Sequence, residues 1–116
     1  MPRNKPCPYL GAKNPTPKLM TKAIYDSLPK LYSQENVADP LVRVKYFDPS
    51  GSGTWGGIEF DGVDLFFGWA TFGGTGELGY FSLKELASVR GRFGLGIERD
   101  KYFDPMSLSE FKQQYP

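Results

Sequence analysis

Between residues 41 and 81, four runs of strand-forming residues follow one another with only short turn sequences between them. Leu41 to Phe47 alternates, which places Val42, Val44 and Tyr46 on one face and Arg43 and Lys45 on the other. Asp48-Pro49-Ser50-Gly51-Ser52-Gly53 is turn chemistry, Asp61-Gly62 is a hairpin signal, and Gly73-Gly74-Thr75-Gly76 reverses the chain again. The runs these turns bound are Thr54 to Phe60, Asp64 to Phe72 and Glu77 to Phe81. Connections this short join antiparallel neighbours, since a parallel pair needs a crossover of roughly a dozen residues. The expectation is an antiparallel meander with the most apolar run, LFFGWATF at 65–72, at its centre. Gly56 and Gly57 predict a bulge or bend in the second run.

Helix signals frame these strands. Thr21 is placed to cap a short helix with Ile24, Tyr25 and Leu28 as its apolar stripe, and Pro29 should end it. Ser82 and Glu85 form a capping box for a helix to about Val89, with Leu83, Leu86 and Val89 toward the sheet. Ser107 and Glu110 repeat the box and open a last helix through about Gln114. Residues 31 to 40 read as a loop, and Ile97 to Tyr102 as a short fifth strand. The fold class is therefore α+β: a four- to five-stranded antiparallel meander sheet with short helices packed on one face. Residues 19–116 form the single domain. Residues 1–18, with five of the ten prolines, are expected as an extended or disordered arm.

Composition narrows the chemistry. Nine Phe, seven Tyr and two Trp among 116 residues mean that aromatics must supply much of the core. There is no histidine and one cysteine, Cys7, so imidazole bases, Ser-His-Asp and Cys-His arrangements, and intramolecular disulfides are excluded. Net charge is +1, which gives no global field to recruit nucleic acid or an anionic membrane. Within that balance, residues 1 to 30 hold six basic side chains and one acidic, and residues 35 to 85 hold three basic and eight acidic. The chain has no apolar run of membrane-spanning length and no secretory leader, so a cytoplasmic location is expected. No cofactor and no metal is expected.

Several constellations bear on function. The glycine runs at 51–53 and 91–96 lack the spacing of phosphate-binding loops and read as turns. Glu59, Asp61 and Asp64 gather about one hairpin, and with Asp48 offer a carboxylate or metal-dependent chemistry. Arg90, Arg92, Phe93, Arg99, Lys101 and Tyr102 interleave basic and aromatic side chains, the pattern that neutralises phosphates and stacks on bases, or anchors a protein interface. No catalytic residue is assigned. The pentapeptide KYFDP occurs at 45–49 and again at 101–105, read here as a repeated turn and not as a duplication.

LYSQE at 31–35, VRVKYFDPSGSGTW at 42–55, LFFGWA at 65–70 and ELGYFSLKELASVRGRFGLGIERDKYF at 77–103 resemble, in order, the bacterial family catalogued as domain of unknown function 2958. The resemblance covers roughly residues 18 to 110. It implies no activity, but it implies a setting: small proteins encoded on plasmids, integrative elements and phages. The expected function is a non-catalytic accessory protein of a mobile element that binds a macromolecule, in its sharpest form an inhibitor of a host defence system of the anti-restriction or anti-CRISPR type. A protein partner is expected first, with no membrane. Two other readings stand beside it: a nucleic-acid-binding module using residues 90–102, and a carboxylate or metal-dependent enzyme.

Overall fold

The computed structural model describes residues 19–116; the expected N-terminal arm and Cys7 lie outside them. The chain begins with α1 (Lys22–Ser27), continues through β1 (Leu41–Val42), β2 (Val44–Phe47), β3 (Thr54–Phe60), β4 (Leu65–Thr71) and β5 (Glu77–Ser82), and then forms α2 (Leu83–Ser88). A 3-10 turn at Arg92–Gly94, β6 (Glu98–Arg99), β7 (Met106–Ser107) and α3 (Leu108–Gln114) complete it. The fold is α+β. β2 to β5 form the expected meander, and β6 extends it beyond β2, giving the antiparallel order β5-β4-β3-β2-β6. That extra strand makes β3 central, in place of the β4 run that its apolarity had suggested. β6 is only two residues long because Ile97 turns into the core and Asp100 starts a turn, where its carboxylate accepts the Tyr102 N–H.

Helix ends follow the capping chemistry. The hydroxyls of Thr21, Ser82 and Ser107 each accept the N–H three residues on, from Ile24, Glu85 and Glu110. α1 stops at Leu28, before Pro29. Val89 lies past the end of α2 and stays partly exposed, while Leu83 and Leu86 are buried.

The helices divide between the two faces of the sheet. α1 and α2 pack on one, where Tyr25, Leu28, Leu83 and Leu86 join Val44, Tyr46, Trp55, Phe60 and Phe66. α3 covers the other, where Leu108 and Phe111 join Val42 and Ile58, with Trp69, Phe103 and Tyr115 at the margin. The single-face expectation thus describes α1 and α2 but not α3. The reason is a second small sheet, β1 paired with β7, which carries the chain across to start α3. It also breaks the 41–47 run at Arg43, so Val42 joins the α3 core while Val44 and Tyr46 join the other.

Two features of β3 allow this double coverage. Pairing with β4 slips between Gly57 and Glu59, so Ile58 is an extra residue, and Ile58 and Glu59 share the α3 face. Gly56 leaves room for Phe111: a Cβ there would stand 2.7 Å from its ring. The KYFDP copies differ as well. Tyr46 is fully buried in β2, its hydroxyl donating to Leu19 O at 2.6 Å, whereas Tyr102 stands out in a turn. Among the described residues no helix is long and apolar enough to cross a membrane.

Candidate functional site

The basic and aromatic residues at 90–102 occupy a loop, the short β6 and a turn. Arg90 pairs with Gly96 in a single antiparallel bridge that closes the loop, and Gly91 N–H donates to Leu95 O at 2.7 Å. The Arg90 guanidinium bonds the Ala87 and Val89 carbonyls at 2.9 and 2.7 Å, so it caps the end of α2. A Cβ on Gly91 would overlap Ser50 Oγ, which fixes the base of the loop against the β2–β3 turn. At the tip, Phe93 adopts φ +61° and Gly94 φ +72°. The second is ordinary for glycine; the first is a strained conformation for a bulky side chain. Phe93 is also 94% exposed, with no burial to offset the strain.

Arg99 is half-buried on β6 opposite Tyr46 and is engaged in the fold. Lys101 and Tyr102 lie in the turn beyond β6, with Tyr102 93% exposed. Of the six residues, then, Arg90 and Arg99 serve the structure. Arg92 with Phe93, and Lys101 with Tyr102, form two exposed pairs at opposite ends of β6.

The four carboxylates do not form a cluster. Asp61 Oδ1 accepts the N–H groups of Val63, Asp64 and Leu65 at 2.8, 2.7 and 3.0 Å, and so builds its own turn. Asp64 accepts the Ser82 hydroxyl and the Lys84 N–H at 2.6 and 2.7 Å and holds the start of α2. Asp48 accepts the Ser50 N–H at 2.9 Å. Glu59, on the opposite side of β3 from Phe60, points away from the hairpin to residues 32–34. Among the described residues no three of His, Cys, Asp and Glu gather to hold a metal ion.

Glu59 marks a place that pattern reading missed. It is only 4% exposed, and its two oxygens accept the N–H groups of Tyr32 and Gln34 at 2.9 and 2.7 Å. That grip holds Tyr32 at φ +69°. Asp39 ties the far end of the same loop to α3 by accepting the Ser109 hydroxyl and N–H at 2.7 and 2.9 Å, bonds that lower its carboxyl below the usual range. Between the loop and the sheet lies a cleft of about 80 Å³ lined by Tyr32, Gln34, Glu35, Pro40, Glu59, Phe67 and Tyr80. Phe67 and Tyr80 are cross-strand neighbours with rings 5.2 Å apart. The Tyr80 hydroxyl is raised above its ordinary value, first by Tyr32's hydroxyl, then by burial and by the charges of Glu59 and Glu35. The one sequence signal for the cleft was a glutamate set between Ile58 and Phe60 in an otherwise apolar strand.

Residues 19–114 match the family described as Protein of unknown function (DUF2958). No curated protein and no solved structure matches the chain.

Proposed function

The chain belongs to the DUF2958 family, and we propose that it acts without catalysis, by binding a macromolecular partner through the exposed pairs at the two ends of β6. The observation that carries this reading is Phe93. An aromatic ring that is 94% exposed and held in a left-handed conformation is unfavourable twice over, and such strain is concentrated at functional positions. Tyr102 supplies a second exposed ring, and Arg92 and Lys101 give each ring a basic neighbour. Exposed aromatics beside arginine are the side chains that dominate binding energy at protein interfaces.

A protein is the favoured partner, because Glu98, Asp100 and Asp104 intersperse the basic residues and the net charge is only +1. The mobile-element setting expected of this family leads to the finer reading, an accessory protein of a mobile element that inhibits a host defence complex. Affinity capture from a bacterial host with wild-type bait and with Phe93→Ser/Tyr102→Ser bait tests it. The reading expects a protein partner that is retained after nuclease treatment, lost with the double variant, and rebound when purified. Capture that disappears on nuclease treatment, with affinity falling steeply as salt is added, would favour the nucleic-acid reading instead. Capture that is indifferent to both rings would remove the site.

A further inference from the structure

The cleft at Glu59 lies elsewhere in the molecule and needs none of the residues at 92–102. We propose that it binds an alkylammonium group, presented as a lysine side chain of a partner polypeptide lying along the open edge of β5.

The chemistry of the lining selects the charge. Tyr32, Phe67 and Tyr80 contribute three aromatic rings, and Glu35 and Glu59 two carboxylates; there is no Lys or Arg in the lining. Aromatic rings with a neighbouring carboxylate are the surroundings in which ammonium groups are held. Glu59 is buried and satisfied only by neutral N–H donors, with no Lys or Arg paired to it among the described residues. Two of its four lone-pair sites are used, so it projects negative potential into the cleft with acceptor capacity to spare. The Tyr80 hydroxyl is raised first by Tyr32's hydroxyl and by burial, and the charges of Glu59 and Glu35 act on it in the same direction. An anion is repelled, and a neutral group leaves Glu59 desolvated without a countercharge.

Size and surroundings select the form of the ligand. A cleft of about 80 Å³ admits a compact head group such as an ammonium. The rest of the ligand must lie outside, and the adjoining structure is β5, a six-residue edge strand with no strand on its outer side among the described residues. β5 carries no Lys, Arg or Pro, the residues that usually blunt an edge. Tyr80 belongs both to that edge and to the cleft. A chain added to β5 gains main-chain hydrogen bonds, and one side chain in two points to the cleft face.

The test is an NMR titration of the full chain with three probes: a capped, β-prone five-residue peptide with a central lysine, the same peptide with norleucine in place of lysine, and methylammonium chloride. The lysine peptide is expected to shift Tyr32, Phe67 and the amides of β5. It should bind about tenfold tighter than the norleucine peptide, the discrimination that a partly desolvated cation over aromatic rings provides. Tyr80→Leu, or Glu35→Gln if the first variant fails to fold, should weaken it by a similar factor, while Phe93→Ser should leave it unchanged. Equal affinity for the two peptides overturns the proposal, as does an absence of shifts at the cleft. Methylammonium binding as tightly as the lysine peptide also overturns it, since the ligand would then be a free cation. None of these results touches the reading of Phe93, and loss of that reading leaves the cleft intact.

Discussion

Single residues in this protein show what the fold tolerates and what it relies on. Phe93 is tolerated: its left-handed backbone costs about 1 kcal/mol and its ring is exposed. Phe93→Gly should therefore raise stability by about 0.5–1 kcal/mol in urea unfolding while partner capture falls. A variant that is less stable than wild type would mean that the ring packs in solution. Tyr46 is relied upon. It is fully buried, and burial pushes its hydroxyl far above the ordinary value, with the nearby Arg99 charge only partly opposing. Above about pH 10 the unfolded chain loses this proton while the folded chain keeps it. The folded state then binds more protons, so stability is complete below that pH and falls above it, by about 1.4 kcal/mol per pH unit. Tyr46→Phe should reduce the alkaline slope by one proton in denaturation series at pH 9 to 11. Glu59 is relied upon differently, through two part-buried N–H groups that bond its two oxygens. Glu59→Gln leaves one of them facing an amide NH2, and should cost about 1–3 kcal/mol by urea unfolding.

At the scale of elements, local signals were legible and non-local ones were not. Thr21, Ser82 and Ser107 cap helices because a hydroxyl acts on an N–H three residues away, and Asp61-Gly62 turns the chain because Asp61 bonds the next few amides. The break at Arg43, the β1–β7 pair and the placing of α3 depend on residues more than 60 positions apart, and no periodicity encodes them. The Glu59 cleft was hidden for the same reason, since the partners of that carboxylate lie 25 and 27 residues earlier. The contact between β3 and α3 is open to test. Gly56→Ala sets a methyl against Phe111 and Val42 and should cost about 1–3 kcal/mol. In a Phe111→Ala background the same change should cost less, because the methyl enters the space the ring has left. Simple additivity in the double-mutant cycle would show that Phe111 is not what crowds the position.

The whole molecule is one central strand serving two cores. Trp55 and Phe60 face α1 and α2, and Ile58 faces α3, so neither core survives the loss of β3. Unfolding followed by Trp fluorescence and by far-ultraviolet circular dichroism should give coincident transitions, in wild type and in Phe111→Ala alike. Separate midpoints in the variant would mean that the α3 layer melts by itself. The extra residue in β3 also bears on how such a chain can change length over generations. Gly57 pairs with Gly68 and Glu59 with Phe67, so Ile58 has no opposite number. Loss of its codon would join two segments already in register, leaving Trp55, Glu59 and Phe60 on their own faces and removing a single apolar plug. Loss of a codon within β4, where every residue is paired, would invert the faces of all that follow in the strand. Descent can therefore shorten β3 at Ile58 without inverting a face of the sheet.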